Sequence, residues 1–505
     1  MLNYNQQHNI FLCKMQNERI KNMSKKVVDW DNCSTIIVGK NASATGKVIM
    51  AHNEDTPNCV LQVVKVPRIK HKEGEVLTFA DGDAVIPQVE ETWAYMWSEC
   101  RALGGEPFAD GFMNEWGVAV ASDSCVSTKE SKLEHGEGIG YALRRLIAER
   151  AKTAREGVQV AGELVKKFGY RSTRAYHICD KDEGWVFQAT VGNQFVAKRV
   201  GDDEIYYMPN WLTIHEVDFS DTEHKNYYWS EDVVKYAIDN GWYTPKTDGD
   251  WSDFDYAKVY QGEGSDVKSN FDRSDLAWKQ ITDADPVPYT TFSIKAPKKF
   301  SVEDLKSIMR SHYVTYEEDL KEDPTMSPHR YGICRDTTIE STIFEFNEDV
   351  NLNCTWRAFP RPCAAPYTPW YLGMTRMPKG YSWIDAQAAQ VSHFFVDKSE
   401  FSYNPNYAYW AFHSLQNMME FNYPACREKV HSSIKALEGE WNLTKPAVEA
   451  AYNSLKNKDE VAALRMLTDY TCRQAQKAWD WAVDTKLELA NARHADRMNF
   501  WRSKL

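Results

Sequence analysis

Cys33 stands at the mouth of a β-rich apolar run, Ser34-Thr35-Ile36-Ile37-Val38, and a second apolar run ends in the polar cluster His52-Asn53-Glu54-Asp55. A short turn containing Gly46 lies between them. This pattern predicts a β-hairpin, with Cys33 opening the first strand and the cluster closing the second. The start of one strand then lies beside the end of the other, so the thiol and the Asn53/Asp55 pair become neighbours. Residues 1–32 are polar, lack periodicity and end in Asp31-Asn32. Their removal would give Cys33 a free α-amine, which titrates at about 8, well below a lysine. Such an amine can act as general base for a nucleophile on its own residue. A lone strand cysteine reads as core, because free cysteine is among the most buried residue types. The acidic strand end and the cleavable leader tip the reading toward chemistry.

Other reactive residue types carry weaker signals. Cys125 has no hairpin after it and no leader to cut. His177 falls inside a predicted strand, where a satisfied core histidine is the usual reading. Trp356-Arg357 and Pro369-Trp370-Tyr371 fit either a core or an apolar pocket wall. No Gly-rich phosphate loop and no His-Glu-x-x-His zinc motif occur.

Several elements must hold the hairpin. Residues 61–66 read as a strand, as do 116–121, entered through a tight Asn114-Glu115 corner. A helix is expected over 138–152, with Leu143, Leu146 and Ile147 on its apolar stripe and Arg144, Arg145 and Arg150 outward. A second helix is expected over 156–168, with Val158, Ala161, Leu164 and Val165 inward and Gly169 as its stop. Strands 175–179, 184–190 and 194–200 form an antiparallel meander. Ser301-Val302-Glu303-Asp304 opens a helix with a capping signal, and 341–346 and 356–372 return to the core. Helices are expected over 383–394, 407–422, 426–440, 445–455 and 458–493. Strands and helices in separate runs indicate an α+β fold. Residues 216–295, rich in Asp, Tyr and Trp, read as an elaboration, either a lid over the site or a surface insertion.

These blocks together resemble the cysteine dipeptidases (dipeptidase A type) of the N-terminal-nucleophile (Ntn) hydrolase superfamily. The resemblance is carried by Cys33 to Asp55, Phe112-Met113-Asn114-Glu115-Trp116-Gly117, Leu143-Arg144-Arg145-Leu146, Trp185-Val186-Phe187-Gln188, Met208-Pro209-Asn210, Cys334-Arg335-Asp336-Thr337 and Trp356 through Gly373. It implies an αββα sandwich of two stacked antiparallel sheets over 33–375, a leader over 1–32 and a helical region over 376–505. It implies autocatalytic cleavage between Asn32 and Cys33, with Cys33 as nucleophile. Asp55 matches the carboxylate that holds the free α-amine, and Asn210 the oxyanion-hole asparagine. Asn53 matches a strand-end asparagine. His52 stands where the family usually has arginine, so any charge it brings to the thiol depends on pH. Asp123-Ser124 stands where related enzymes have a second oxyanion asparagine, and Ser124 or a backbone N–H would be the donor. The implied substrates are dipeptides of broad side-chain range, with no cofactor and no metal. The alternatives are a non-peptidase amide hydrolase acting on N-acyl amino acids or related amides, and an unprocessed homologue that binds without catalysis.

The 505-residue chain carries a net charge of −12 and no basic stripe, which argues against a nucleic-acid partner. No apolar run reaches the roughly 18 residues of a membrane span, and Ile10-Phe11-Leu12 is too short for a signal-peptide core. The eleven cysteines are odd in number and scattered, without Cys-x-x-Cys, which fits reduced thiols in a cytoplasm. Cys334, Cys354 and Cys363 come nearest to a cluster, and their spacing assigns no zinc. Met23 is an alternative start to Met1. The C-terminal helices offer a face for a homo-oligomer.

Overall fold

The computed structural model describes residues 33–56, 59–102, 108–125, 129, 136–262, 268–283, 287–312, 329 and 332–502. The leader, with Asn32, lies outside the described residues.

Two large antiparallel sheets stack face to face. The first has seven strands, in the order Ser293–Lys295, Glu204–Tyr207, Ser34–Val38, Ile49–Asp55, Thr338–Glu345, Cys354–Ala358 and Thr368–Tyr371. The second has eight, in the order Tyr227–Trp229, Phe195–Val200, Gly184–Ala189, Arg174–Cys179, Ala119–Ser124, Phe108–Asn114, Tyr95–Ala102 and Cys59–Val66. Ser34–Val38 and Ile49–Asp55 are buried at every position. A strand buried on both faces needs a layer on each side. Here Thr35 faces the second sheet, donating to Asp123 Oδ2 at 2.5 Å, while Ser34 faces the helical side and lies 2.9 Å from Arg273 Nη1.

The outer face of the second sheet is covered by helices Leu143–Arg150 and Ala154–Phe168. The first sheet packs against Val302–Met309, Lys268–Thr282 and the C-terminal helices Tyr423–Leu455 and Glu460–Arg502, while Ala408–Glu420 packs against the edge strand Cys59–Val66 of the second sheet. An interior ion pair stitches the sheets together: Arg357 Nη1 lies 2.6 Å from Glu340 Oε1 and also donates to Ser98 of the second sheet. The architecture is therefore the expected α+β stack with helices at the C-terminal end. No helix among the described residues is long and apolar enough to cross a membrane.

Several elements match their local signals. Thr153 caps the helix Ala154–Phe168 by accepting from Glu156, and Gly169 stops it at φ 76°, a left-handed position that glycine occupies without strain. Ser301 and Asp304 form a reciprocal capping box. The meander strands fall within one residue of expectation.

Other expectations are corrected. The helix expected over 138–152 spans only Leu143–Arg150, and Arg144 is wholly buried rather than outward. Its Nε donates to Ser122 Oγ at 2.5 Å, so a polar atom of the sheet draws the guanidinium inward. The strand expected at 116–121 begins at Ala119. Asn114 Oδ1 accepts from the N–H groups of Trp116 and Val118, and Gly117 turns at φ 83°, which commits 115–117 to a turn. Helices 426–440 and 445–455 are one helix, Tyr423–Leu455, which runs through Pro446. Its buried Trp441 donates to Gln474 Oε1 on the last helix at 2.8 Å, and packing of this kind outweighs the break a proline favours. Trp356, Arg357, Trp370 and Tyr371 are core.

Candidate active site

The Cys33 hairpin sets the geometry. Ser34 pairs with Asn53 and Thr35 with His52. Cys33, one residue before this ladder, is therefore placed at the level of Glu54 and Asp55. The Asp55 N–H donates to Cys33 Sγ at 3.4 Å, and the thiol donates to Glu54 Oε1 at 3.4 Å. The neighbouring strand makes this possible. Its register slips between Thr338, opposite Asp55, and Glu340, opposite Glu54. An irregularity of this kind bends the strand and re-aims side chains at a strand end. Glu54 was legible only as part of the polar cluster; its contact with the sulfur emerges from the fold.

Cys33 is only 2% exposed. Burial, and then the carboxylates of Glu54, Asp123 and Asp55, push its thiol well above the usual range. A thiol so placed is neutral until a base or a cation joins it. Replacing Glu54 with glutamine removes the nearest negative charge. The alkylation rate of Cys33 is then expected to rise at neutral pH, its titration moving to lower pH; an unchanged pH profile would show that Glu54 does not sense the thiol.

Asp55 is wholly buried. Burial lifts its carboxyl to about 6, against the opposing pull of Arg335, the Thr338 hydroxyl and Arg273. Thr338 Oγ1 donates to its Oδ1, and Arg335 Nε lies 3.9 Å from its Oδ2. Oδ2 is buried and has no hydrogen-bond partner among the described residues.

On the other side of Cys33 lies a polar cradle that the sequence did not disclose. Arg273, on helix Lys268–Thr282 of the 216–295 elaboration, is fully buried. Its Nη1 donates to the Cys33 carbonyl oxygen and to Ser34 Oγ, both at 2.9 Å. Its Nη2 donates to Asn210 Oδ1 at 2.5 Å and to Asn270 Oδ1 at 2.8 Å. Asn210 sits at φ 66°, a left-handed conformation that asparagine tolerates better than most residues. Its Nδ2 donates to the Ser124 carbonyl oxygen at 2.9 Å. An amide nitrogen carries two hydrogens, so one remains for a substrate oxygen. Ser124 thus meets Asn210 through its backbone. In the variant Asn210→Gly the left-handed backbone stays unstrained and the amide is gone. Its kcat is expected to fall by about 10²–10³ with little change in KM, the usual cost of one oxyanion donor; a loss confined to KM would assign Asn210 to ground-state binding.

His52 is buried behind the thiol. Thr35 gives its hydroxyl proton to Asp123, so at 2.8 Å from His52 Nδ1 it must accept, which places a proton on Nδ1. His52 Nε2 lies 3.4 Å from Glu54 Oε2. A second proton there would make His52 a cation near the sulfur. Asp123 also meets His177 Nε2 at 2.8 Å inside the core. Asn53 points away from this network, its Nδ2 donating to the carbonyls of Met309 and Ile333, both at 3.0 Å. It ties the hairpin to the loops beneath. Cys125 is buried and its thiol is raised, first by burial and then by Asp123. Ligand atoms of Cys33, His52 and Glu54 lie within 4.8 Å of one another, a spacing at which a soft divalent cation could compete with chemistry at the sulfur.

Comparison with known proteins places the chain in a family. Residues 32–436 match the profile of Peptidase family C69. The chain is 24% identical over 460 residues to a protein of Latilactobacillus sakei named "Probable dipeptidase", covering 86% of this chain and 90% of that one. It is 23% identical over 499 residues to "Probable dipeptidase B" of Streptococcus pyogenes serotype M3, covering 92% and 95%. Among solved structures, penicillin V acylase from Agrobacterium tumefaciens aligns with a TM-score of 0.33 and 15% identity, over 68% of this chain and 87% of that one. The family match begins one residue before Cys33 and takes in every residue of the cradle, and the chain belongs to peptidase family C69.

Proposed function

We propose that the protein is a cysteine dipeptidase whose nucleophile is the thiol of Cys33, exposed by cleavage of its own leader. The observation that carries this reading is the placement of Cys33 between the Asp55 N–H and the Glu54 carboxylate, beside a buried Asp55 with one unpartnered oxygen. A buried carboxylate oxygen without a donor calls for one. The α-ammonium of a processed Cys33 would supply that donor and add its charge to that of Arg335.

In the precursor the thiol attacks the carbonyl carbon of Asn32. The Cys33 nitrogen leaves as an amine, and water hydrolyses the resulting thioester. In the mature enzyme the α-amine takes the thiol proton and Asp55 orients that amine. The thiolate attacks the scissile carbonyl of a dipeptide, and the free N–H of Asn210 Nδ2 meets the developing oxyanion. The α-ammonium then protonates the departing amine, and water attacks the thioester to release the first amino acid. Arg273 holds both Asn210 and the Cys33 carbonyl, which fixes nucleophile and oxyanion donor relative to each other.

Asp55 gives this reading a pH signature. Its folded-state carboxyl titrates at about 6 against 3.8 for an ordinary aspartate, so the folded precursor holds the proton more tightly than the unfolded chain. That contribution to stability is fully present below pH 3.8 and is lost as pH rises through about 6. A leader-retaining chain is therefore expected to lose stability across this window, and Asp55→Asn to flatten the slope. Denaturation at a series of pH values checks this; a slope unchanged by the substitution would assign the loss to other groups.

The function itself is tested by intact mass and by a substrate panel. A mass that begins at Cys33, together with hydrolysis of dipeptides in preference to N-acyl amino acids, supports the proposal. Preference for N-acyl amino acids would make the chain an amide hydrolase of another specificity. A retained leader without hydrolysis would favour the unprocessed, non-catalytic alternative.

A further inference from the structure

Four ligating side chains, far apart in sequence, converge beneath the hairpin. His312 follows helix Val302–Met309, and His329 is seventeen positions further on. Cys334 precedes strand Thr338–Glu345, and Cys363 lies between strands Cys354–Ala358 and Thr368–Tyr371. All four are buried. One ligand atom from each lies within 4.8 Å of those of the other three. His329 Nδ1 and His312 Nε2 are 2.9 Å apart.

We propose that His312, His329, Cys334 and Cys363 form a structural zinc site. Two thiolates and two imidazoles are a donor set that zinc takes in closed tetrahedral sites. With zinc–sulfur and zinc–nitrogen bonds of about 2.3 and 2.0 Å, the edges of such a tetrahedron are roughly 3.3–3.8 Å. The four atoms therefore need only small side-chain adjustments to meet one ion. Two thiolates neutralise the charge of Zn²⁺, so the filled site is formally neutral and suits a buried position, where an uncompensated ion would be costly. Tyr423 Oη lies 3.4 Å from His312 Nδ1, on the side of the ring away from His329, as an outer partner that orients the imidazole.

The site's location gives it a role. The N–H groups of Ile333 and Cys334 both donate to the Ser311 carbonyl, at 3.0 and 3.1 Å. The carbonyls of Met309 and Ile333 are the two acceptors of Asn53. The metal would clamp together the two loops on which Asn53, and through it the nucleophile hairpin, rests. Cysteine spacing could not reveal this, because the two cysteines come from separate connections and two of the ligands are histidines. Cys354, close in sequence, lies elsewhere, near Lys445 and Glu345.

The test is elemental analysis of the untagged full-length chain purified under reducing conditions without added metal, beside Cys33→Ala and the double variant Cys334→Ser/Cys363→Ser. The expected result is about one zinc per chain in the first two and at least a tenfold lower content in the double variant. If the double variant does not fold, cobalt replaces zinc in the Cys33→Ala protein: a tetrahedral spectrum with sulfur-to-cobalt charge transfer supports the site, and its absence overturns it. Three further results overturn the proposal. They are less than about a tenth of an equivalent of zinc even after supplementation, zinc lost in Cys33→Ala but kept in the double variant, and a Cys334–Cys363 disulfide in the purified protein. None of these readouts depends on the substrate.

Discussion

Replacing Cys33 with alanine is expected to abolish both dipeptide hydrolysis and removal of the leader, with kcat/KM falling by about 10⁴-fold or more, as for loss of a covalent nucleophile. Among the described residues, no other thiol is hydrogen-bonded to the Glu54 carboxylate or the Asp55 N–H. Cys125, Cys179 and Cys354 are buried with raised thiols. The alanine fits the pocket the thiol leaves, and the hairpin ladder from Ser34/Asn53 onward is untouched, so the fold should survive the loss of the Asp55 N–H to sulfur contact. Intact mass and steady-state kinetics on one preparation read both effects. Hydrolysis within tenfold of the unmodified enzyme would sink the assignment of Cys33, whereas a leader removed from an inactive protein would mean that another agent performs the cleavage.

The second large effect is expected at Arg273. Its guanidinium satisfies the Cys33 carbonyl, Ser34 Oγ, Asn210 Oδ1 and Asn270 Oδ1, all buried. Arg273→Ala leaves these acceptors without their donor. A buried polar group so stranded costs about 1–3 kcal/mol, and partial relaxation should hold the total near 3–5 kcal/mol. Arg273→Lys keeps the charge and a donor but cannot span four acceptors with one planar fork. The lysine variant should recover much of the stability and little of the rate, with kcat lowered by about 10²-fold at similar KM. Chemical denaturation paired with kinetics separates the roles. If the lysine variant, once folded, turns over at the normal rate, Arg273 supports the fold alone and does not position Asn210.

The nucleophile hairpin was legible because its signals are local. Apolar runs and β-branched residues mark the strands, and a two-strand ladder joined by a short turn can pair Ser34 only with the neighbourhood of Asn53. The stop at Gly169 and the cap at Ser301 were legible for the same reason: each depends on a backbone conformation or a hydrogen bond spanning about three residues. Residues 138–152 show the limit. Periodicity found the apolar stripe of Leu143, Leu146 and Ile147 but turned Arg144 outward, since a helical pattern does not record that Ser122 waits in the sheet below.

Sequence by itself determined where the candidate nucleophile stands, which residues close the strand beside it, and that separate runs of strands and helices would stack as layers. The tertiary structure alone decided what surrounds the sulfur. Arg273 arrives from 240 positions away, Glu54 lies opposite a register slip, and the histidine–cysteine tetrad draws on two connections. The physical reason is common to all three. A charged or ligating side chain becomes buried only where partners from other elements compensate it, and those partners are chosen by packing, which no local pattern encodes.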